Sequence, residues 1–263
     1  MTPVTVTHGA GPVILGLPHC GTWLPKGVGE AMNDRGRALP DTDWHVDRLY
    51  HGVLPRVSTV RANFHRYVID ANRDPSGTSL YPGQNTTDLV PMHDFDGAPI
   101  WITPPDTAEV ERRKRYHAAY HAALKAEIAR VKAAHGIAIL YDCHSIRSHI
   151  PHLFEGTLPD FNIGTNSGKS CAPEIERAVQ EICTKAEGYS LVLNGRFKGG
   201  WTTRHYGHPE AGVHAIQMEL AQSTHLQDEN SGWAYAPGKA ARLRPHLQDI
   251  LETLADLAAT LKE

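Results

Sequence analysis

Ile137-Ala138-Ile139-Leu140-Tyr141-Asp142-Cys143-His144-Ser145 is an apolar run that ends on an Asp-x-His-Ser tetrad. A run this short and apolar reads as a buried strand, and side chains two apart on a strand leave from one face. Asp142 and His144 therefore point the same way at the strand tip. Open α/β sheets keep their chemistry at that end. A second apolar run, Val13 to Leu17, also leads to a histidine, in Leu17-Pro18-His19-Cys20-Gly21. Two strand-tip histidines in one chain suggest a metal ion with hydrolytic work to do.

Further strands are expected at 58–64 continuing toward 67–70, at 189–193 and at 213–219, with helices between them. The clearest helix is 107–135. Asp106 can cap it with Glu109 three residues on, Tyr116, Tyr120, Leu124, Ile128 and Val131 recur at helical spacing, and Gly136 stops it. Helices are also expected at 43–54, at 173–185 and at 239–261, the last through a core stripe of Leu243, Leu247, Ile250, Leu251, Leu254 and Leu257. Alternation of strands and amphipathic helices predicts an α/β fold, a three-layer sandwich around a mixed central sheet. With 263 residues and 41% apolar content, one domain spanning 1–263 is expected. The stretches 74–105 and 195–209 are rich in Gly, Pro and polar residues and read as loops bordering the site.

A net charge of −3 gives no basic stripe for a phosphate backbone, so a nucleic-acid partner is not expected. Neither is a membrane partner, since no window approaches a spanning length and Met1-Thr2-Pro3-Val4-Thr5 does not read as a secretory signal. Cys20, Cys143, Cys171 and Cys183 show no C-x-x-C spacing, which predicts free thiols in a reducing cytoplasm. Cys143 alternates away from its neighbours Asp142 and His144 and is read as packing. Seventeen histidines favour metal chemistry without identifying the ligands.

A hydrolytic zinc site commonly has three protein ligands and leaves a position for water. His19 and His144 supply two. The third is sought in Asp41-Thr42-Asp43-Trp44-His45-Val46-Asp47, with Asp43 the first choice and Asp47 the second, although an Asp opening a helix can also be a simple N-cap. Asp142 shares a strand face with His144 and suits an outer partner for its imidazole rather than a ligand. Glu219, ending the run Val213-His214-Ala215-Ile216-Gln217-Met218, is the candidate general base, since a carboxylate there is costly to leave unpaired. Asn194-Gly195-Arg196-Phe197-Lys198-Gly199-Gly200, followed by Arg204, suggests a substrate-binding loop. Its glycines, Gly199 and Gly200 among them, admit close approach, and its arginines grip carboxylates. Arg66 with Asn72-Arg73 forms a second polar knot. No nucleophile elbow, P-loop or dinucleotide motif is present.

These residues fall into blocks that resemble the N-formylglutamate amidohydrolase (N-formylglutamate deformylase) family. The blocks are Pro18-His19-Cys20-Gly21, 41–47, Arg66-Tyr67-Val68-Ile69-Asp70-Ala71-Asn72-Arg73, Leu80-Tyr81-Pro82-Gly83-Gln84, Asp142-Cys143-His144-Ser145-Ile146-Arg147-Ser148, Leu153-Phe154-Glu155-Gly156, 194–200 and Gln217-Met218-Glu219-Leu220. The resemblance implies a phosphorylase/hydrolase-like fold similar to zinc carboxypeptidases. It also implies hydrolysis of N-formyl-L-glutamate to formate and L-glutamate, the last step of a histidine degradation pathway. By similarity His19 and His144 fall at metal ligands, Glu219 at the base, and Asn194 with Arg196 at a carboxylate-binding pair. Ala71 and Cys143 depart slightly from the family pattern. Thr22 stands where a carboxypeptidase would carry an acidic ligand, which leaves the third ligand open between Asp43 and Asp47.

The expected mechanism has one divalent ion, zinc first, on His19, Asp43 and His144. Glu219 moves the proton, Arg66 meets the oxyanion, Arg196 and Arg204 hold the carboxylates of a small acidic substrate, and Arg73 is a further substrate-binding residue. The rivals are a deacylase for another N-acyl amino acid or dipeptide and a non-catalytic, metal-dependent carboxylate receptor. Oligomeric state is not legible.

Overall fold

The computed structural model describes residues 2–79 and 86–261, so the block Leu80-Tyr81-Pro82-Gly83-Gln84 lies outside the described residues. Strands β1 (Val4–Thr7), β2 (Val13–Leu17), β3 (Ser58–Ala62), β4 (Ala138–Ile146), β5 (Phe161–Gly164), β6 (Leu191–Leu193) and β7 (Val213–Ala221) form one sheet in the order β1-β3-β2-β4-β7-β5-β6. Strands β3, β2, β4 and β7 run parallel, while β1 is antiparallel to β3 and β5 to β7. The sheet is mixed, and β2 and β4 at its centre are buried along their whole length. That is why they read as unbroken apolar runs.

Alternation sorts the side chains into two cores. Val13, Leu15, Leu17, Ile139, Tyr141, Cys143, Ile216 and Met218 pack on the face covered by α2 (Val46–Tyr50), α4 (Pro173–Lys185) and α6 (Pro237–Thr260). Ile14, Val60, Leu140 and Ala215 pack on the other, beneath α3 (Thr107–His135). The result is three layers. On α6, Leu243, Leu247, Ile250, Leu251 and Leu254 are fully buried, each contributing roughly 1.5–3 kcal/mol of apolar transfer. Asp106 caps α3 by accepting from the Glu109 backbone N–H at 2.7 Å, and Gly136 ends it at φ 78°. Among the described residues no helix is long and apolar enough to cross a membrane.

Several expectations are corrected. The central strand runs on to Ile146, because β4 and β7 pair without interruption from Ala138–Val213 to Ile146–Ala221, so Asp142 and His144 lie inside the strand. The strand after 58 ends at Ala62, and 67–70 is no strand: Val68 N–H bonds back to His65 O, a turn. The helix expected from Asp43 begins only at Val46, since His45 sits at φ 61° and cannot continue a right-handed helix. The strand expected at 189–193 is confined to Leu191–Leu193. Short elements β1, β5, α1 (Asp34–Ala38) and α5 (Trp201–Tyr206) carry too few residues for a periodicity.

The same register builds the site. Asp142 pairs with Gln217 and His144 with Glu219, so four polar side chains stand together on the α3 face of two neighbouring strands.

Candidate active site

Three segments converge on this polar patch. His19 follows β2, and its carbonyl accepts from the Asp43 N–H at 3.1 Å, which ties the two segments together. Asp43 reaches both imidazoles, with Oδ2 at 3.3 Å from His144 Nδ1 and 3.8 Å from His19 Nδ1, and also accepts from Ser145 N–H at 3.1 Å. Its carboxylate caps no helix. The two rings lie 4.9 Å apart between centroids. The far nitrogen of each ring faces a second carboxylate: His19 Nε2 is 2.7 Å from Asp70 Oδ1, and His144 Nε2 is 3.1 Å from Asp142 Oδ2.

This donor set fits a metal ion. One ligand atom from each of His19, Asp43 and His144 lies within 4.8 Å of the other two, and all three residues are buried. His19 Nδ1 is buried with no hydrogen-bond partner, as a nitrogen reserved for a cation would be. Two imidazoles and a carboxylate, with each imidazole held from behind by another carboxylate, is the composition of zinc-type sites. Asp47 does not join them, because its carboxylate turns away to accept from Arg61 Nη1 at 2.6 Å.

Around the trio opens a cleft whose lining includes Arg66, Asn72, Arg73, Phe95, Arg196, Gln217 and Glu219. Burial lifts the Glu219 carboxyl to about 8, an effect opposed by His144 and Arg66 and reinforced by Asp43 and Asp142. A nearby divalent charge would draw it down again. Gln217 orients it: the Gln217 carbonyl accepts from Gly200 N–H at 2.7 Å, which turns its amide N–H toward Glu219 Oε2 at 3.4 Å. Arg66 donates from Nη2 to Asp70 Oδ2 at 2.9 Å, with Asp43 3.7 Å away. Burial works against its charge, but Asp70, Asp43 and Asp41 outweigh that and hold it cationic.

The loop residues expected to bind substrate separate into two groups. Arg196 and Gly200 line the cleft with Arg73, whereas Arg204 and Gly199 do not. Gly199 takes φ 106°, after which α5 starts, and Arg204 Nε points back to Gly199 O at 2.9 Å. Gly200 is required by its neighbour, since a Cβ there would come within 2.2 Å of Asn72 Nδ2, but its N–H is already engaged by Gln217. Asn194 is a brace. Its Oδ1 accepts from Thr165 N–H and Ser167 N–H, and its Nδ2 donates to Thr165 Oγ1.

Sequence reasoning misses Asp70 and Gln217 and leaves Asn72 without a role. Asp70 ends the apolar trio Tyr67-Val68-Ile69 just as Asp142 ends its own run, and Gln217 lies two residues before Glu219 on the same strand face, so both left a signal. Asn72 bridges the halves: Asp70 Oδ1 accepts from its N–H at 2.8 Å, and its Nδ2 is 3.2 Å from His144 Nε2.

The sequence model of a family described as N-formylglutamate amidohydrolase matches residues 11–226. N-formylglutamate deformylase of Pseudomonas aeruginosa is 47% identical over 255 residues, covering 94% of each chain. That of Pseudomonas putida is 43% identical over 251 residues, covering 92% of each. The crystal structure of N-formylglutamate amidohydrolase from Ralstonia eutropha JMP134 shares the fold, with a TM-score of 0.81 and 25% identity over 98% of both chains. A match over most of the chain, with relatives this similar along nearly their full length, shows that the chain belongs to the N-formylglutamate amidohydrolase family.

Proposed function

We propose that this protein hydrolyses N-formyl-L-glutamate to formate and L-glutamate with one divalent metal ion, zinc by the nature of the donors, held by His19, Asp43 and His144. The observation that carries the reading is the buried His-Asp-His trio with Glu219 on the neighbouring strand, registered against His144. Membership of the family and the names of its relatives support the substrate. Four free thiols are consistent with a reducing cytoplasm, and we assign the reaction to the last step of histidine degradation.

The ion, when bound, polarises the formyl carbonyl and lowers the pKa of the attacking water. Glu219 takes the proton released as water oxygen bonds to the formyl carbon, and returns it to the nitrogen as the C–N bond breaks. The Gln217 amide keeps that carboxylate aimed into the cleft. Arg66, held cationic by three aspartates, faces the charge that develops on the carbonyl oxygen, a contribution typically worth a few kcal/mol. Arg196 and Arg73 line the cleft and supply the cations for the substrate carboxylates.

Formate release from N-formylglutamate is expected to stop on chelation and return with zinc, and the N-acetyl and N-succinyl analogues are expected to be poor substrates. Glu219→Gln is expected to retain the metal and lose roughly 10²–10⁴-fold in turnover. Turnover untouched by chelation would remove the metal from the scheme, and a Glu219→Gln enzyme near full rate would remove the base.

A further inference from the structure

We infer that His117 and His121, one turn apart on α3, are positioning residues. They clamp the 70–73 turn and so fix the outer partners of both metal-binding histidines; the inference rests on the metal reading above. His121 Nε2 lies 2.7 Å from Ala71 O, and His117 Nε2 lies 3.0 Å from Arg73 O. Those carbonyls bracket Asn72. Within four residues this turn sends Asp70 to His19 and Asn72 toward His144, while Asn72 Oδ1 accepts from Thr202 N–H at 2.8 Å. The segment itself is neither strand nor helix; Arg73 serves the carbonyls of Asp70 and Asn72 from within, and those of Ala71 and Arg73 take their donors from α3.

Neutral imidazole suits the task, giving one N–H to each carbonyl without adding a cation beside Arg73. Burial pulls both rings below the usual histidine range, His121 to about 3. A carbonyl oxygen can only accept, so Nε2 facing Ala71 O is the N–H nitrogen, and Nδ1 is left to accept from the Tyr206 hydroxyl, which lies 3.0 Å from it and 3.3 Å from His121 O. Trp201 covers both rings, at 5.4 and 4.6 Å between centroids. Histidines at this spacing on a helix also suit a metal, but here both Nε2 atoms are engaged by carbonyls.

The test measures zinc dissociation constants on the full chain by competition with a chromophoric chelator. His121→Leu is expected to weaken zinc binding about tenfold, the low end for groups acting behind a ligand. His121→Gln, whose amide can reach the same carbonyl, is expected to recover affinity to within about threefold of wild type. A folded His121→Leu protein with wild-type zinc affinity overturns the inference. Imidazole ¹⁵N NMR of the wild type near about pH 6 gives a result that needs no variant: both rings are expected as neutral, slowly exchanging Nε2–H tautomers. A cationic or Nδ1–H ring overturns the clamp. Wild-type protein that takes up no zinc, cobalt, manganese or iron defeats the metal reading instead, and the clamp then stands or falls on the ring tautomers.

Discussion

The two halves of the trio are built alike and behave oppositely. In each, an imidazole turns Nδ1 toward Asp43 and Nε2 toward a fully buried aspartate. Yet His19 is held below the usual histidine range, by burial first and then by Arg66, whose Nη2 lies 3.3 Å from its ring. His144 is raised well above that range: burial opposes the charge, but Asp142 first, then Asp43 and Glu219, outweigh it. Ligand geometry can be symmetric while the field is not. What sets the field is the third neighbour, and on the His19 side that neighbour is a cation.

The comparison is broken most severely at Asp70. This carboxylate accepts from His19, Arg66 and the Asn72 backbone at 2.7, 2.9 and 2.8 Å, and although burial pushes its pKa up, His19, Arg66 and Arg73 hold it well below the usual range. Asp70→Asn leaves the buried Arg66 with Asp43 at 3.7 Å as its nearest remaining carboxylate among the described residues. Loss of one member of a buried charge pair costs about 3–5 kcal/mol, and loss of an outer partner weakens metal binding by about 10–100-fold, so this variant should fall at the upper end of both. Asp142→Asn should be milder. Asp142 meets His144 at 3.1 Å and Thr203 Oγ1 at 3.4 Å, and its Oδ1 has no partner among the described residues, so a neutral carbonyl oxygen can replace what the imidazole uses. About tenfold weaker metal binding is expected, with a loss of urea stability smaller than that of Asp70→Asn. Equal losses in the two variants would mean that Arg66 does not set the halves apart.

Most of one half is legible in the sequence. Residues of β2 and β4 are apolar because both faces of the central sheet are covered, and alternation alone puts Asp142 beside His144 and leaves Cys143 in the opposite core. The other half is hidden because 67–70 looks like a strand and is a turn, so Asp70 cannot be assigned a face. Arg204 and Asn194 are hard to orient from the sequence for a related reason. Arg204 Nε meets Gly199 O and Asn194 meets the 165–167 loop, and which carbonyl or N–H a loop side chain meets depends on backbone that periodicity does not describe. The end of β4 lies deeper than the apolar run suggests, since a polar residue in such a run looks like its end even when strand pairing continues beneath it.

A third buried imidazole sharpens the comparison by showing what burial does where no carboxylate is bonded to the ring and Asp43 acts only as a minor, more distant charge. His225 is fully buried, with Nε2 3.0 Å from Trp44 O and Nδ1 3.2 Å from Thr224 Oγ1, and desolvation lowers it to about 4. Its unfolded value is about 6.5, so below that pH the unfolded chain takes up a proton that the folded chain refuses. The stability it contributes is complete above about pH 6.5 and is lost as pH falls toward about 4, with no further change below. His225→Gln keeps a donor for the Trp44 carbonyl and removes the titration. Between about pH 4.5 and 6 the wild-type unfolding free energy should therefore fall more steeply than the variant's, by about 1.4 kcal/mol per pH unit. Urea melts across that range measure the difference directly. Parallel slopes would mean that the buried ring titrates as it does unfolded, and the lowered range of His19 would then have to come from Arg66 alone rather than from burial with Arg66 added.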